Sequence, residues 1–220
     1  MRSSDGVAAK LVLAAALAAG VSYLAADHLA LSQTVSLAWK GAGVGLLAIY
    51  AALVARELNG WLLAAVMALG AAGDVLLGAA GFVVGGGVFL LGHLVAIGLY
   101  LRNRRAELTR LDVRLAMAFV PLIALIAFLL PADRASAGGV MVYAAGLAAM
   151  AASAWISRFP RRWVALGALM FVASDLLIFA RGGPLAGQTW VGFFVWSLYF
   201  AGQALICTGV ARALGEDLAG

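Results

Sequence analysis

The segment with the clearest structural signal is 60–101, which has the sequence GWLLAAVMALGAAGDVLLGAAGFVVGGGVFLLGHLVAIGLYL. It contains one Asp and one His but no Lys, Arg or Glu. A helix needs about 20 apolar residues to cross the hydrocarbon core of a bilayer, where its backbone must be hydrogen-bonded internally. The segment therefore predicts two membrane-spanning helices, joined by an uncharged connection at 78–87 in which Gly85, Gly86 and Gly87 allow a tight hairpin.

The rest of the chain continues this pattern. Of the 220 residues of the whole chain, 65% are hydrophobic and only 11% are charged, whereas soluble domains contain about a quarter charged residues. Apolar blocks separated by charged or proline-containing connectors predict eight transmembrane helices, at about 7–26, 34–54, 60–78, 82–101, 113–130, 138–157, 161–181 and 188–211. These blocks nearly fill the chain, so we expect an all-α polytopic membrane helix bundle that forms a single transmembrane domain over residues 1–220.

The basic residues predict an orientation rather than a nucleic-acid partner. The formal net charge is +5, and eleven of the fifteen Lys and Arg lie in connectors on the side of the N-terminus. Only Arg134 and Arg181 lie in connectors on the opposite side, which predicts that both termini are cytoplasmic. We expect the bacterial inner (plasma) membrane as the location. The basic connector 102–114 also suits anionic lipid headgroups, although orientation alone explains its charge, and no basic stripe interleaved with aromatics indicates nucleic-acid binding.

The first and last apolar blocks each contain a feature that bears on processing or on cysteine chemistry. In the first block, Lys10, an Ala/Leu-rich run and small residues before Asp27 resemble a cleavable signal peptide. The apolar run approaches spanning length, which favours a retained helix. In the last block, the single Cys207 has no partner for an intrachain disulfide or a metal site, so we interpret it as a packing residue.

Four ionisable side chains lie deep within the predicted spans: Lys40, Asp74, His93 and Asp175. A charge at the centre of a spanning helix costs about 2.5–3.5 kcal/mol on insertion scales, so each residue needs a partner or a function. Positions along the helices place Lys40, Asp74 and Asp175 in the extracytoplasmic half and His93 near the middle. We therefore expect these side chains to line one polar cavity.

Helical spacing adds neighbours to this cavity. Residues three or four apart share a helix face, and two such faces are Trp196, Tyr199, Gln203 and Cys207 in the eighth block, and Phe89, His93, Ala96 and Tyr100 in the fourth. Gly41 and Gly45 form a GxxxG pattern beside Lys40, which predicts close helix contact. Ordinary packing and interhelical hydrogen bonds are the alternative interpretation of these polar residues.

A weak internal repeat relates the third and seventh blocks. The sequence AGDVLL at 72–77 matches ASDLLI at 173–178, so Asp74 and Asp175 correspond. The match suggests a parallel four-plus-four repeat. Lys40 and His93 have no counterparts at the same offset.

The same positions resemble a known family. GDVLL at 73–77, FLLGHL at 89–94, SDLLI at 174–178 and YFAGQALI at 199–206 resemble signatures of the third, fourth, seventh and eighth helices of the YhhN-like lysoplasmalogenase family. Lys40 occupies the place of a characteristic family lysine, although a glycine replaces the proline that often follows it. The resemblance extends over essentially the whole chain and includes the same eight-helix plan.

The resemblance implies a hydrolase that cleaves the vinyl ether bond of lysoplasmalogens to a fatty aldehyde and glycerophospho-ethanolamine or -choline. This reaction needs a proton for the alkene carbon and water for the resulting oxocarbenium ion. A carboxyl group in a cavity of low dielectric constant suits the first role, because desolvation favours its neutral form. A second carboxylate stabilises the positive charge and activates water. We expect Asp74 and Asp175 to be these catalytic groups, in either order.

The other residues of the predicted site would bind the substrate, a lysophospholipid that enters laterally from the bilayer. Lys40 would hold one acid ionised or bind the substrate phosphate. His93, Tyr199 and Gln203 would position water or the headgroup. No HExxH motif or paired His/Cys spacing is present, so we expect neither a metal nor another cofactor.

Other functions use the same residue types. Intramembrane Asp, Lys and His are also typical of ion pathways, and a repeated bundle is a common plan for a proton-coupled transporter. Against this, the one proline within a span, Pro121, is far from the ionisable residues in sequence. A lipid-binding membrane protein without catalysis is a third possibility, and a buried ion pair that only fixes helix packing would explain the charges without any active site.

Overall fold

The computed structural model of the protein describes residues 3–217, so the two ends of the chain, for which a cytoplasmic location is predicted, lie outside the described residues. Eight α-helices occur within this range: Ser3–Ser22 (α1), Gln33–Val54 (α2), Leu58–Ala79 (α3), Phe82–Arg102 (α4), Arg110–Leu129 (α5), Arg134–Ile156 (α6), Val164–Arg181 (α7) and Val191–Asp217 (α8). A short 3-10 helix, Tyr23–His28, follows α1. The range contains no β-strand.

Eight described helices are long and apolar enough to cross a membrane. The predicted polytopic helix bundle is thereby confirmed, and the chain is an integral membrane protein. The observed helix ends lie within a few residues of the predicted ends in most cases. The largest difference is in α8, which continues from the predicted end at 211 to Asp217, because a helical backbone can extend beyond the hydrocarbon core.

Capping explains why α5 begins earlier than predicted. The Thr109 hydroxyl accepts a hydrogen bond from the Asp112 backbone N–H at 3.1 Å, and the Asp112 carboxylate accepts one from the Thr109 N–H at 3.3 Å. This reciprocal capping box satisfies two N–H groups at the helix start. The helix therefore begins at Arg110, within the basic connector, rather than at the first apolar residues.

The hairpin between α3 and α4 lies within the predicted connection 78–87, but its turn does not use the predicted Gly85, Gly86 and Gly87. Its turn is at Ala80 and Gly81, where Gly81 has a φ of 86°, a conformation that favours glycine. The predicted turn residue Gly85 instead lies inside α4, close to α3. A Cβ atom at Gly85 would come within 2.5 Å of the Leu77 backbone, so this glycine permits helix contact and does not form the turn.

The chain divides into two compact units. The first contains the described residues up to Ala96 together with those from Cys207 onward, and the second contains residues 97–206. The unit boundaries fall inside α4 and α8. The single domain and the four-plus-four repeat therefore stay predictions.

Each unit has its own packed interior. In the first, α2 and α3 pack against each other, and the buried residues of these helices include Leu47, Leu63 and Met67. In the second, α6 packs against α5 and α7, and α7 crosses α8 closely. A Cβ atom at Gly167 of α7 would lie 2.6 Å from the carbonyl oxygen of Gly202 in α8, so small residues bring these two helices together.

Candidate active site

The first unit holds an ion pair between α2 and α3. Lys40 Nζ lies 3.5 Å from Asp74 Oδ1, and the Asp74 side chain is only 3% exposed. Gly41 follows the lysine, and a Cβ atom there would lie 2.7 Å from Cγ2 of Val75, the residue after the aspartate. The predicted GxxxG contact is therefore present at the level of the ion pair, where it lets the two helices approach closely.

His93 and Phe89 occupy the buried face of α4. The Phe89 ring packs on Gly73, where a Cβ atom would lie 2.8 Å from the ring. Gly73 directly precedes Asp74, so α4 contributes an aromatic wall beside this part of α3. His93 follows Phe89 by one helical turn and is 3% exposed. Ala96 and Tyr100 are also buried, which confirms the predicted shared face of α4.

The second unit holds the other aspartate, Asp175 of α7. The Tyr143 hydroxyl of α6 donates a hydrogen bond to Asp175 Oδ2 at 2.7 Å, and both residues are buried. Phe179, one turn after Asp175, packs edge-on against the Tyr143 ring with the centroids 5.9 Å apart. Ser174 ties this part of α7 to α8, since its hydroxyl donates to the Val195 carbonyl at 2.9 Å.

Tyr143 was not identified from the sequence. It lies on the buried stripe of α6 with Val140, Ala144 and Leu147, at the three- and four-residue spacing of one helix face. A hydroxyl on a stripe that is otherwise apolar was the available signal. Because α6 is rich in alanine on all sides, its hydropathy pattern does not distinguish this stripe from the others.

Two further predicted residues lie on α8. The Gln203 amide donates to the Tyr199 hydroxyl at 3.4 Å, and the Tyr199 ring packs edge-on against Phe171 at 5.0 Å between centroids. Phe171 precedes Asp175 by one turn of α7. Trp196, Tyr199, Gln203 and Cys207 are all buried, which confirms the predicted face of α8.

The structure gives the two aspartates different partners. Asp74 pairs with an ammonium group from α2, whereas Asp175 accepts a hydrogen bond from a phenol of α6. Each partner comes from the helix that precedes the aspartate's own helix. The expectation that both carboxylates line one cavity stays a prediction. Among residues 3–217, no group of three or more His, Cys, Asp or Glu side chains is arranged to hold a metal ion.

A known protein family includes these positions. The model of the YhhN family matches residues 35–210, a range that includes Lys40, Asp74, His93, Asp175, Tyr199 and Gln203. The chain belongs to the YhhN family. This confirms the resemblance seen in the helix signatures.

Two curated proteins are similar to this YhhN-family chain. They are lysoplasmalogenases of Mycobacterium bovis and Mycobacterium tuberculosis, each 35% identical to it over 158 residues. The match covers 68% of this chain and 59% of each relative, so the chain spans about three fifths of the length of the relatives it matches. No solved structure matches the chain.

Proposed function

We propose that this chain is a membrane-embedded hydrolase that cleaves the vinyl ether bond of lysoplasmalogens, a class of lysophospholipid. The products are a fatty aldehyde and glycerophospho-ethanolamine or -choline. The main support is the presence of two buried carboxylates, Asp74 and Asp175, in a chain that belongs to the YhhN family and is similar to two lysoplasmalogenases. Buried ionisable residues within membrane spans mark functional sites by default.

The reaction requires one proton donor and one carboxylate. We assign the donor role to Asp175, which accepts the Tyr143 hydrogen bond at Oδ2 and carries the transferred proton on Oδ1. This proton goes to the alkene carbon that is not bonded to oxygen, which leaves a positive charge shared by the neighbouring carbon and the ether oxygen. Tyr143 acts as a positioning residue, because it fixes the orientation of the carboxyl group.

Asp74 has the complementary role. As the partner of Lys40 in an ion pair, it supplies the negative charge that stabilises the oxocarbenium ion. It then takes a proton from the water that attacks the charged carbon. The resulting hemiacetal breaks its bond to the glycerol oxygen, which leaves as a hydroxyl after receiving the proton held by Asp74. The hemiacetal hydroxyl gives its proton to Asp175, which restores both carboxyl groups to their starting states. One water is consumed overall, and no oxidant or reductant is needed.

The remaining predicted residues bind the substrate in this proposal. Tyr199 and Gln203 form a buried polar pair on α8, which suits recognition of headgroup oxygens. His93 provides a second buried polar group on α4. Replacement of either aspartate should abolish turnover and retain substrate binding. Replacement of Tyr199, Gln203 or His93 should instead weaken substrate binding, which separates these residues from the catalytic pair.

The decisive assay is aldehyde release by the purified full chain in detergent. Wild type should release aldehyde from a lysoplasmalogen and not from the acyl lysophospholipid with the same headgroup. Asp74→Asn and Asp175→Asn should each abolish release while the protein remains folded. Asp133→Asn is the matched control, because this exposed aspartate caps α6 and asparagine caps helices equally well. Near-normal turnover in either catalytic variant contradicts the assignment.

We also propose that the termini are cytoplasmic and that the membrane is the bacterial inner membrane. The support is the asymmetric distribution of Lys and Arg between the connectors. Reporter fusions at the C-terminus test the orientation. A fluorescent protein that matures only in the cytoplasm should be bright, and alkaline phosphatase, which needs the periplasm, should be inactive. The reverse pattern contradicts the proposed orientation.

A further inference from the structure

A compact charged cluster lies at one end of the second unit, outside the candidate active site. Asp112, the third residue of α5, is bound by the Arg161 guanidinium and lies 3.6 Å from Arg105 Nη2. The indole N–H of Trp155 donates to the same carboxylate at 3.2 Å. Arg105 and Arg161 also each donate to the Trp155 carbonyl at 3.1 Å.

This cluster carries a net positive charge and contains a hydrogen-bond donor that has no acceptor among residues 3–217. Two guanidinium groups face one carboxylate, so the net charge is positive. The buried Nε of Arg105 has no hydrogen-bond partner within the described part of the chain, although buried polar groups are nearly always paired. The side chains of Arg105 and Arg161 are 28% and 35% exposed. The exposed parts of these two guanidinium groups can therefore contact an anionic acceptor from outside, whereas the buried Nε lies beyond its reach.

An apolar groove leads away from the same cluster. It lies between α5, α6 and α7, has a volume of about 200 Å³, and is lined almost entirely by carbon atoms of residues that include Ala116, Phe119, Ala152 and Leu169. Trp155 joins the two features, since its ring lines the groove and its N–H binds Asp112.

The depth of the groove fits a lipid. Asp112 and Phe119 are separated by seven residues of α5, which corresponds to about 10 Å along a helix. The charged cluster lies where α5 and α7 begin and α6 ends, which is the level of lipid headgroups, and the groove extends from there into the hydrocarbon region. Its volume of about 200 Å³ is below the roughly 300–1,000 Å³ of a pocket that encloses a whole small molecule, so its size suits part of one acyl chain.

We propose that this groove binds an anionic phospholipid of the surrounding bilayer, with the phosphate on Arg105 and Arg161 and one acyl chain between α5, α6 and α7. The positive net charge favours an anionic headgroup over a zwitterionic one, whose ammonium group would face the same arginines. Guanidinium groups bind phosphate through paired, charge-assisted hydrogen bonds. A helix of a partner protein is about 10–12 Å wide, so a groove of this volume is too small to seat one.

The test measures lipid binding to the purified full chain in detergent by native mass spectrometry. The probes are phosphatidylglycerol and phosphatidylcholine with identical acyl chains. Wild type should bind one phosphatidylglycerol about tenfold more tightly than phosphatidylcholine. The two arginines make charge-assisted contacts to phosphate, and only in phosphatidylcholine is the phosphate charge compensated by an ammonium group of the same lipid, which the arginines repel. Equal affinity for the two lipids overturns the proposal.

Two variants locate the site. Ala116→Phe fills the groove from α5 and should weaken phosphatidylglycerol binding about tenfold. Ala118→Phe is the matched control, because Ala118 is exposed and does not line the groove, so that the substitution adds the same ring outside it. Arg105→Gln should remove the preference for the anionic lipid while leaving phosphatidylcholine binding unchanged.

The outcomes are distinguishable even if one variant is unstable. Unfolding temperatures without added lipid identify a folding defect in Arg105→Gln, in which case the Ala116→Phe and Ala118→Phe pair decides. Unchanged phosphatidylglycerol affinity in folded Ala116→Phe overturns the proposal. A change in oligomeric mass without a change in lipid binding also overturns it, because the groove would then be a contact between copies of the chain.

Discussion

The ion pair between Lys40 and Asp74 gives the most informative stability prediction. Lys40→Met leaves a carboxylate whose side chain is 3% exposed without its ammonium partner. Removing one member of a buried pair costs about 3–5 kcal/mol. The Lys40 side chain is 20% exposed, so solvent screens part of the interaction and we expect the lower end, about 3 kcal/mol.

The double variant Lys40→Met/Asp74→Asn separates a structural role from a catalytic one. It contains neither charge, so its free energy of unfolding should return to within about 1 kcal/mol of wild type. The coupling energy between the two sites should then be at least about 2 kcal/mol. The double variant should nevertheless release no aldehyde, because it lacks the Asp74 carboxylate. Recovered stability without recovered activity is the signature of a carboxylate with a chemical function.

The assay is reversible unfolding in mixed micelles with increasing SDS, followed by tryptophan fluorescence. Lys10→Met is the matched control, because Lys10 is exposed and its replacement should change the unfolding free energy by less than about 0.5 kcal/mol. Additive losses in the double variant would refute the ion pair as a stabilising unit. Restoration of both stability and activity in the double variant would refute the catalytic role of Asp74.

Two further substitutions test other contacts. Tyr143→Phe should lower turnover by about 10- to 100-fold, because a reacting carboxyl group misplaced by 1 Å costs about a hundredfold; unchanged kcat in folded protein would show that the hydrogen bond to Asp175 does not position the acid. Gly167→Ala should lower the unfolding free energy by about 1–3 kcal/mol, because its Cβ atom would overlap the Gly202 carbonyl oxygen. Gly98→Ala, with open space around the new atom, is the control in the same unfolding assay and should be neutral or stabilising.

Hydropathy and helical spacing predict much of this fold because the bilayer restricts it. Each span must be long, apolar and helical, so each of the eight apolar blocks corresponds to one α-helix within residues 3–217. Ionisable residues inside spans are rare and expensive, which is why Lys40 and Asp74 were recognisable before their contact was known. The shared faces of α4 and α8 followed from residues three or four apart.

Three features did not follow from the sequence, and each depends on which helix faces which. Tyr143 was missed because the composition of α6 does not reveal its rotation about its own axis. The tight α3–α4 turn was assigned to Gly85, Gly86 and Gly87 within the connection 78–87, because glycine signals both a turn and a close helix contact. Arg105 was attributed mainly to membrane orientation, whereas it also contacts Asp112 and donates to the Trp155 carbonyl, which is fifty positions away in the sequence.

The most direct test of the central claim compares two substrates that differ only in the double bond. Purified protein in detergent is given a lysoplasmalogen and the corresponding saturated alkyl ether, and aldehyde is quantified by mass spectrometry. Proton transfer to an alkene carbon is impossible for the alkyl ether, so the account predicts aldehyde from the vinyl ether alone. Cleavage of both ethers at similar rates, or of neither by folded protein, would contradict it.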